Sequence, residues 1–105
     1  MPNRPLSADE KETLRDRLLR AVSDRCRRQI LRTLSPGPLP VHDLALHLED
    51  PTRVGYHLSV LRRAGIVRAI REDGRHVSYA YNSDSLKEIR RWFDEARIFG
   101  DDGDG

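Results

Sequence analysis

Side chains that could contact a nucleic acid recur along one side of the stretch DPTRVGYHLSVLRRAGIV. With an advance of about 100° per residue, two hydroxyls, a phenol and a guanidinium share one helical face: Thr52, Ser59, Tyr56 and Arg63. Arg53 and Gly55 flank this face. Hydroxyl, phenol and guanidinium groups suit base edges and phosphate oxygens. The alternative is an ordinary solvated helix face, so the neighbouring segments must decide between the two.

The opposite side of the same stretch is apolar and can fix the helix to a core. Its residues follow the spacing i, i+4 and i+7: Val54, Leu58 and Leu61. Asp50 is placed to cap the first unpaired amides, and Pro51 suits the first helical position, which needs no donor. Gly65 is a stop signal. The pattern therefore predicts a helix over residues 51–64, with His57 packed at the edge of its apolar stripe.

The segments around this helix predict a helix-turn-helix followed by a hairpin. A short helix over Val41–Leu48 would turn its apolar residues inward: Val41, Leu44, Ala45 and Leu48. After Gly65 the period changes to two, which predicts strands over Ile66–Glu72 and His76–Tyr81 around an Asp73–Gly74 turn. The tip of this wing, residues 67–81, carries basic groups that could reach phosphates or the minor groove: Arg71, Arg75 and His76.

Three further helices complete the predicted architecture. Ser7 and Glu10 form a capping box before a helix over Ala8–Val22, and Ser23 or Asp24 caps a second helix that ends near Leu34. Ser83 or Asp84 caps the last helix, which ends near Arg97. The fold class is mainly α with a β-hairpin wing (α+β), a winged helix-turn-helix of order α-α-α-α-β-β-α. Apolar residues of the first and last helices predict a dimer interface, with packing inside their own domain as the alternative: Leu14, Leu18, Leu86, Ile89, Trp92 and Phe93.

Composition limits the class of protein. One hundred and five residues make one small domain, expected over residues 7–99, with a disordered arm at 1–6 and a disordered acidic tail at 100–105. The net charge is only +2, but residues 53–76 hold six arginines against two acidic residues. Cys26 is the single cysteine, which rules out an internal disulfide. A buried structural thiol is the expectation, with a redox-sensing thiol as the alternative.

Other chemistry finds little support in the sequence. The histidines and acidic residues have no spacing that joins them into a catalytic pair, and no phosphate-binding loop is present, so we expect a non-enzyme. No convergent set of three or four zinc ligands is evident, and we expect neither metal nor cofactor. Without a long apolar run or a signal-peptide core, we expect a cytoplasmic protein.

Several strings resemble the ArsR family of winged-helix transcriptional regulators: AVSDRCRRQILRTL, VHDLALHL, VGYHLSVLRRAGIVRAIREDGRHVSYAY and DSLKEIRRWF. These strings lie between Ala21 and Phe93, and the resemblance as a whole covers roughly Ser7 to Phe99. The resemblance implies a homodimer joined by the first and last helices. It also implies DNA-facing positions at Thr52, Arg53, Gly55, Tyr56 and Ser59, although Gly55 stands where the family usually has serine. The paired cysteines of metal-sensing members, and the histidines that others place in the last helix, are missing here.

The function predicted from these features is sequence-specific binding of double-stranded DNA by a homodimeric transcriptional regulator, a repressor acting on a palindromic operator. Helix 51–64 would enter the major groove, and the wing would lie on the backbone or in the minor groove. The sequence identifies no effector. The alternative is a winged-helix adaptor that binds proteins without sequence-specific DNA binding, since the fold alone does not decide function.

Overall fold

The computed structural model describes residues 4–71, 73–74 and 76–96. Within them the chain forms five helices and three strands, in this order: α1 (Ala8–Val22), α2 (Arg25–Leu34), β1 (Leu39–Pro40), α3 (Val41–Ala45), α4 (Val54–Arg63), β2 (Val67–Arg71), β3 (Val77–Tyr81) and α5 (Ser83–Ala96). The predicted fold class is confirmed, with β1 as a short additional strand. The predicted acidic tail and residues 1–3 of the predicted arm lie outside the described residues.

The first two helices begin at the side-chain caps that the sequence predicts. The Ser7 hydroxyl accepts from the Glu10 amide at 3.1 Å, and the Glu10 carboxylate accepts from the Ser7 amide at 2.9 Å. Arg4 donates two hydrogen bonds to Glu10, which lowers the pKa of that carboxyl from 4.5 to about 2. The contribution of this charge to stability is therefore complete above about pH 4.5 and disappears as the pH falls through about 2. At α2 the cap is Asp24, whose carboxylate accepts from the Arg27 amide at 3.0 Å.

One apolar core holds the helices and the sheet together. Its fully buried large side chains come from α1, α2, α3, α4 and the junction before β2: Leu18, Ile30, Leu34, Leu44, Leu61 and Ile66. The predicted inward stripe of α4 is confirmed, because Leu58 and Leu61 are buried and the half-buried Val54 packs against the same core. Burial of this stripe fixes which side of α4 faces away from the protein.

The sheet is antiparallel, in the order β1-β3-β2. Its hairpin pairs Val67 with Tyr81 and Arg71 with Val77 across a turn that contains Gly74 at φ +82°. The predicted hairpin is thus confirmed, although β2 and β3 each begin one residue later than predicted, and Glu72 lies outside the described residues. On β3, Ser78 and Ala80 are buried, while the alternate residues are half-buried.

The structure corrects the predicted start of the central helix. Asp50 does not cap it, because its carboxylate accepts from the Thr52 amide at 3.0 Å and so closes a local turn. The Val54 amide then donates to the Pro51 carbonyl at 3.1 Å, and α4 begins only at Val54. Three residues predicted to lie on the helix, Pro51, Thr52 and Arg53, therefore precede it.

Two predictions about helix ends, and one about a side chain of α3, were also wrong. Helix α3 ends at Ala45 and not at Leu48, because amides of the following residues bond to carbonyls three positions back and tighten the chain into a turn. Val41 is 39% exposed and does not face the core. At α5 the Asn82 carboxamide, and not Ser83 or Asp84, accepts the first amide hydrogen bond, from Asp84 at 3.2 Å.

Gly65 joins the end of α4 to both the wing and the last helix. It has φ +78°, and the Ile66 and Gly65 amides donate back to the carbonyls of Leu61 and Arg62, each at 2.9 Å. The Gly65 carbonyl accepts from the Asn82 side chain at 3.0 Å and from the Ser85 hydroxyl at 2.6 Å. The positive φ is therefore needed for three elements to meet.

We predict opposite outcomes for alanine at the two glycines of this region. Gly65→Ala should destabilise the protein by roughly 1–2 kcal/mol, because a Cβ is strained at positive φ. Gly55→Ala should leave stability unchanged or slightly raise it, since a Cβ there meets nothing within 4 Å and the backbone is helical. Urea unfolding at one protein concentration measures both variants. Equal midpoints for Gly65→Ala and the parent protein would contradict the role given to Gly65.

Candidate nucleic-acid interface

The polar face of α4 and the turn before it point away from the core. Thr52, Arg53, Gly55 and Tyr56 are exposed, and the Tyr56 side chain is 52% exposed. Ser59 is half-buried and Arg63 is exposed. Six of the residues that the sequence assigned to nucleic-acid contact are thus wholly or partly exposed on this surface. This surface is opposite the Leu58–Leu61 stripe that anchors the helix.

Tyr56 is held in place by aromatic and cationic neighbours. The Arg53 guanidinium carbon lies 4.4 Å from the centre of the tyrosine ring, within the range of a cation–π contact. The Tyr56 ring also contacts the His57 ring edge-on, with the two ring centres 5.4 Å apart. Stacking leaves the edge of the Arg53 guanidinium free to donate hydrogen bonds, which is the geometry that guanine recognition uses.

A groove separates α4 from the wing. It has a volume of about 370 Å³ and is lined by residues of α4 and β3: Gly55, Leu58, Ser59, Arg62, Arg63 and Tyr79. Gly55 contributes only backbone to this wall, and a Cβ there would meet nothing within 4 Å. The wing stands beside the polar face of the helix and continues its surface.

The basic groups of the wing are accessible where the structure describes them. Arg71 ends β2 and is exposed, and His76 is exposed beyond the turn. The Asp73 carboxylate accepts from the His76 amide at 3.0 Å, which fixes the backbone on the far side of the turn. Arg75, the third residue predicted at this tip, lies outside the described residues.

Arg27, in α2, connects α4 to the end of α1. The sequence did not reveal this connection. Its guanidinium donates to the carbonyls of Ala21 at 2.7 Å and Arg20 at 3.3 Å, at the end of α1. It also lies 3.1 Å from Nδ1 of His57. Because a guanidinium can only donate, Nδ1 must be the acceptor in this contact. The prediction that His57 is a packed, hydrogen-bonded residue is confirmed, since it is 8% exposed.

The fold also brings together three possible metal ligands that are distant in sequence. One donor atom from each of Asp24, Cys26 and His57 lies within 4.8 Å of the others. Two observations argue against an open metal site. The Arg27 guanidinium already occupies the histidine nitrogen, and burial, followed by the charges of Asp24 and Asp50, raises the pKa of the Cys26 thiol. The half-buried Cys26 instead lies 3.8 Å from the Asp50 carbonyl, which fits the structural role predicted for it.

The residues predicted to form a dimer interface lie where α1 packs beside α5. Leu14, Leu86, Trp92 and Phe93 are half-buried and retain surface that a partner could cover. The Trp92 and Phe93 rings contact each other edge-on at 5.0 Å, and Arg15 approaches Trp92 at 6.0 Å. Leu18 is 0% exposed and Ile89 is 9% exposed. These two therefore act mainly within the core of their own protomer.

A helix-turn-helix with an exposed polar recognition face and an adjoining hairpin defines a winged-helix DNA-binding protein. Residues 24–69 match the family model described as bacterial regulatory protein, arsR family. The transcriptional repressor SdpR of Bacillus subtilis (strain 168) is 29% identical over 76 residues, which cover 71% of this chain and 83% of SdpR. The chain belongs to the ArsR family, whose members are transcriptional regulators and not enzymes, as the sequence predicted.

Two solved structures are similar over most of the chain. The crystal structure of a possible transcriptional regulator for arsenical resistance is 31% identical, with a TM-score of 0.64, and the match covers 75% of this chain and 82% of that one. The homodimeric winged helix-turn-helix domain of Mb0332 from Mycobacterium bovis is 20% identical, with a TM-score of 0.68 and 94% coverage of both chains.

In the described part of this chain, no helix has the length and apolar character needed to cross a bilayer.

We predict that Arg27→Ala destabilises the protein by about 1–3 kcal/mol, because it leaves Nδ1 of His57 and the Ala21 carbonyl without this donor. Arg32→Ala is the matched control. Arg32 is exposed on the same helix and has no side-chain hydrogen bond among the described residues, so its loss should change stability by less than about 0.5 kcal/mol. Urea denaturation compares the two variants. Similar midpoints for both would show that the Arg27 contacts add nothing to stability.

Proposed function

We propose that this protein is a homodimeric repressor that binds a palindromic operator in double-stranded DNA. Residues 51–64 enter the major groove, and the wing, residues 67–81, contacts the backbone or the minor groove. The observation that carries this proposal is the exposed polar face of α4 beside the accessible Arg71 and His76. That face lies opposite a buried leucine stripe, so the helix can be presented to DNA without unfolding any part of the core.

The residues of this surface divide by chemistry. Thr52, Arg53, Gly55, Tyr56 and Ser59 are proposed to face base edges, where hydroxyl, phenol and guanidinium groups can distinguish base pairs. The remaining basic residues are proposed to contact phosphates, and so to add affinity without sequence preference: Arg63, Arg71, Arg75 and His76.

The proposed dimer uses α1 and α5 within the domain 7–99. The half-buried apolar residues of these helices support it, because they form one surface across two packed elements. The homodimeric state of Mb0332 supports it as well. A two-fold dimer would place two recognition helices on successive major grooves, about 34–36 Å apart. The name of SdpR as a repressor supports the same sign of regulation here.

The test of the proposed function is selection of bound duplexes from a random pool, followed by titration of the selected DNA over a range of salt concentrations. The parent protein should select a palindrome. Arg53→Ala should cost about 1–3 kcal/mol on the selected site and change the preferred bases. Arg71→Gln should weaken binding to all duplexes and reduce the slope of log affinity against log salt by about 2, because each homodimer loses two phosphate contacts.

Arg32→Gln serves as the control for both variants, because it removes the same charge from an exposed helix position away from the proposed surface. It should bind and select DNA like the parent protein. If Arg53→Ala and Arg71→Gln also behave like the parent, the assigned surface is wrong. If the parent retains no duplex at any salt concentration and instead copurifies with a protein, the adaptor alternative is correct.

A serine introduced at Gly55 gives an independent test of how α4 meets the groove. A Cβ at Gly55 meets nothing within 4 Å, so we expect Gly55→Ser to fold like the parent. The added hydroxyl would lie beside Tyr56 and Ser59 and should change the bases selected at one position in each half-site. An unchanged selection with an unchanged unfolding midpoint would place Gly55 away from the bases.

A further inference from the structure

A second cleft lies on the other side of the recognition helix, between α4 and the end of α1. Its volume is about 370 Å³. Its walls come from α1, α2, α4 and the residues that follow α1 and α4, and they include Arg17, Arg20, Ala21, Arg27, Tyr56, Arg63 and Ala64. Tyr56 and Arg63 also belong to the proposed DNA-facing surface. The cleft therefore opens next to that surface and extends it toward α1.

The walls of this α1–α4 cleft carry concentrated positive charge. Arg17, Arg20 and Arg63 are exposed, and none has a carboxylate oxygen within 4.0 Å among the residues that the structure describes. Other arginines are paired in this way, including Arg15 with Glu12 and Arg25 with Glu49. Like charges that converge without a counter-charge repel each other, and a bound anion would relieve that repulsion.

The floor and back of the cleft limit what kind of anion fits. Ala21 is 1% exposed and Ala64 is 5% exposed, so small apolar side chains close the bottom. Arg27 stands at the back with its donors already used by Ala21, Arg20 and His57. The donors that remain belong to long side chains around the rim. A compact group with several acceptor oxygens fits this arrangement better than a flat aromatic ligand.

We propose that the α1–α4 cleft binds a phosphate group, with Arg17 and Arg20 as its principal donors. Guanidinium groups pair with phosphate through two parallel hydrogen bonds, and the two arginines stand one helical turn apart on α1. The expected source is a backbone phosphate of the operator that lies beyond the bases read by α4. With a backbone phosphate as the source, the inference rests on the proposed function and adds one phosphate contact per protomer to it. A free phosphorylated small molecule would use the same chemistry.

The test compares two variants that each remove two positive charges. Arg17→Gln/Arg20→Gln alters the cleft, and Lys11→Gln/Arg32→Gln alters exposed positions of α1 and α2 outside it. We expect the cleft variant to reduce the slope of log affinity against log salt by about 2, and to lose at least about tenfold in affinity at low salt. The preferred sequence should not change, because phosphate contacts carry no base information. The control should behave like the parent protein.

A calorimetric titration of the DNA-free protein with inorganic phosphate distinguishes a DNA backbone phosphate from a free phosphorylated ligand. If the cleft variant loses only duplex affinity, the bound phosphate belongs to the DNA backbone. If it loses only the binding of inorganic phosphate, the source is a free phosphorylated ligand. Either result supports the site.

One result would overturn the proposal. It is a cleft variant whose salt slope for duplex binding and whose affinity for inorganic phosphate both equal those of the parent protein and the control. Urea unfolding of both variants identifies any loss that comes from misfolding, and Arg17→Lys/Arg20→Lys should restore most of the slope. If the parent binds no duplex at all, the proposed repressor function fails, and the inorganic phosphate titration still tests the cleft.

Discussion

The position of α4 relative to α1 depends on the contacts of one guanidinium group, in addition to the burial of the α4 leucine stripe. Arg27, in the first turn of α2, bonds to the carbonyls that end α1 and to the buried nitrogen of His57 in α4. A cation suits the end of α1, where the unpaired carbonyls concentrate partial negative charge. Because the same group reaches three helices, the polar face of α4 has a defined position relative to α1. The accessible surface and the cleft beside it both follow from that position.

The other end of α4 is fixed by backbone geometry instead of charge. Gly65 turns the chain out of the helix, and its carbonyl holds the first turn of α5 through Asn82 and Ser85. The helix is therefore tied at its N-terminal half to α1 and α2, and at its C-terminus to the wing and α5. Under the proposed function, a helix held at both ends loses little conformational freedom when it binds DNA, which favours affinity for a given set of contacts.

Most of the fold was predictable because its signals are local. Capping residues and apolar periodicity predicted the ends of α1 and α2 to within about one residue, and the Asp73–Gly74 turn predicted the hairpin. The start of α4 was not predictable in this way, because the Asp50 carboxylate can cap a helix or close a turn, and the choice depends on packing. The Arg27–His57 contact and the Asp24–Cys26–His57 grouping join residues some thirty positions apart, and no periodicity encodes such pairs. The exposed face of the candidate interface was predictable, and the cleft behind it was not.

The division of α4 into a buried side and an exposed side has a consequence for how such a regulator can diversify. Leu58 and Leu61 hold the helix in the core, while Thr52, Ser59 and Arg63 contribute little to that packing. Under the proposed function, exchange of these three residues should therefore alter target preference without a large stability penalty. Duplicated copies of such a gene could acquire new targets through a few substitutions, and the same separation would let a designer retarget the scaffold. Tyr56 is the exception, because its ring also packs against His57.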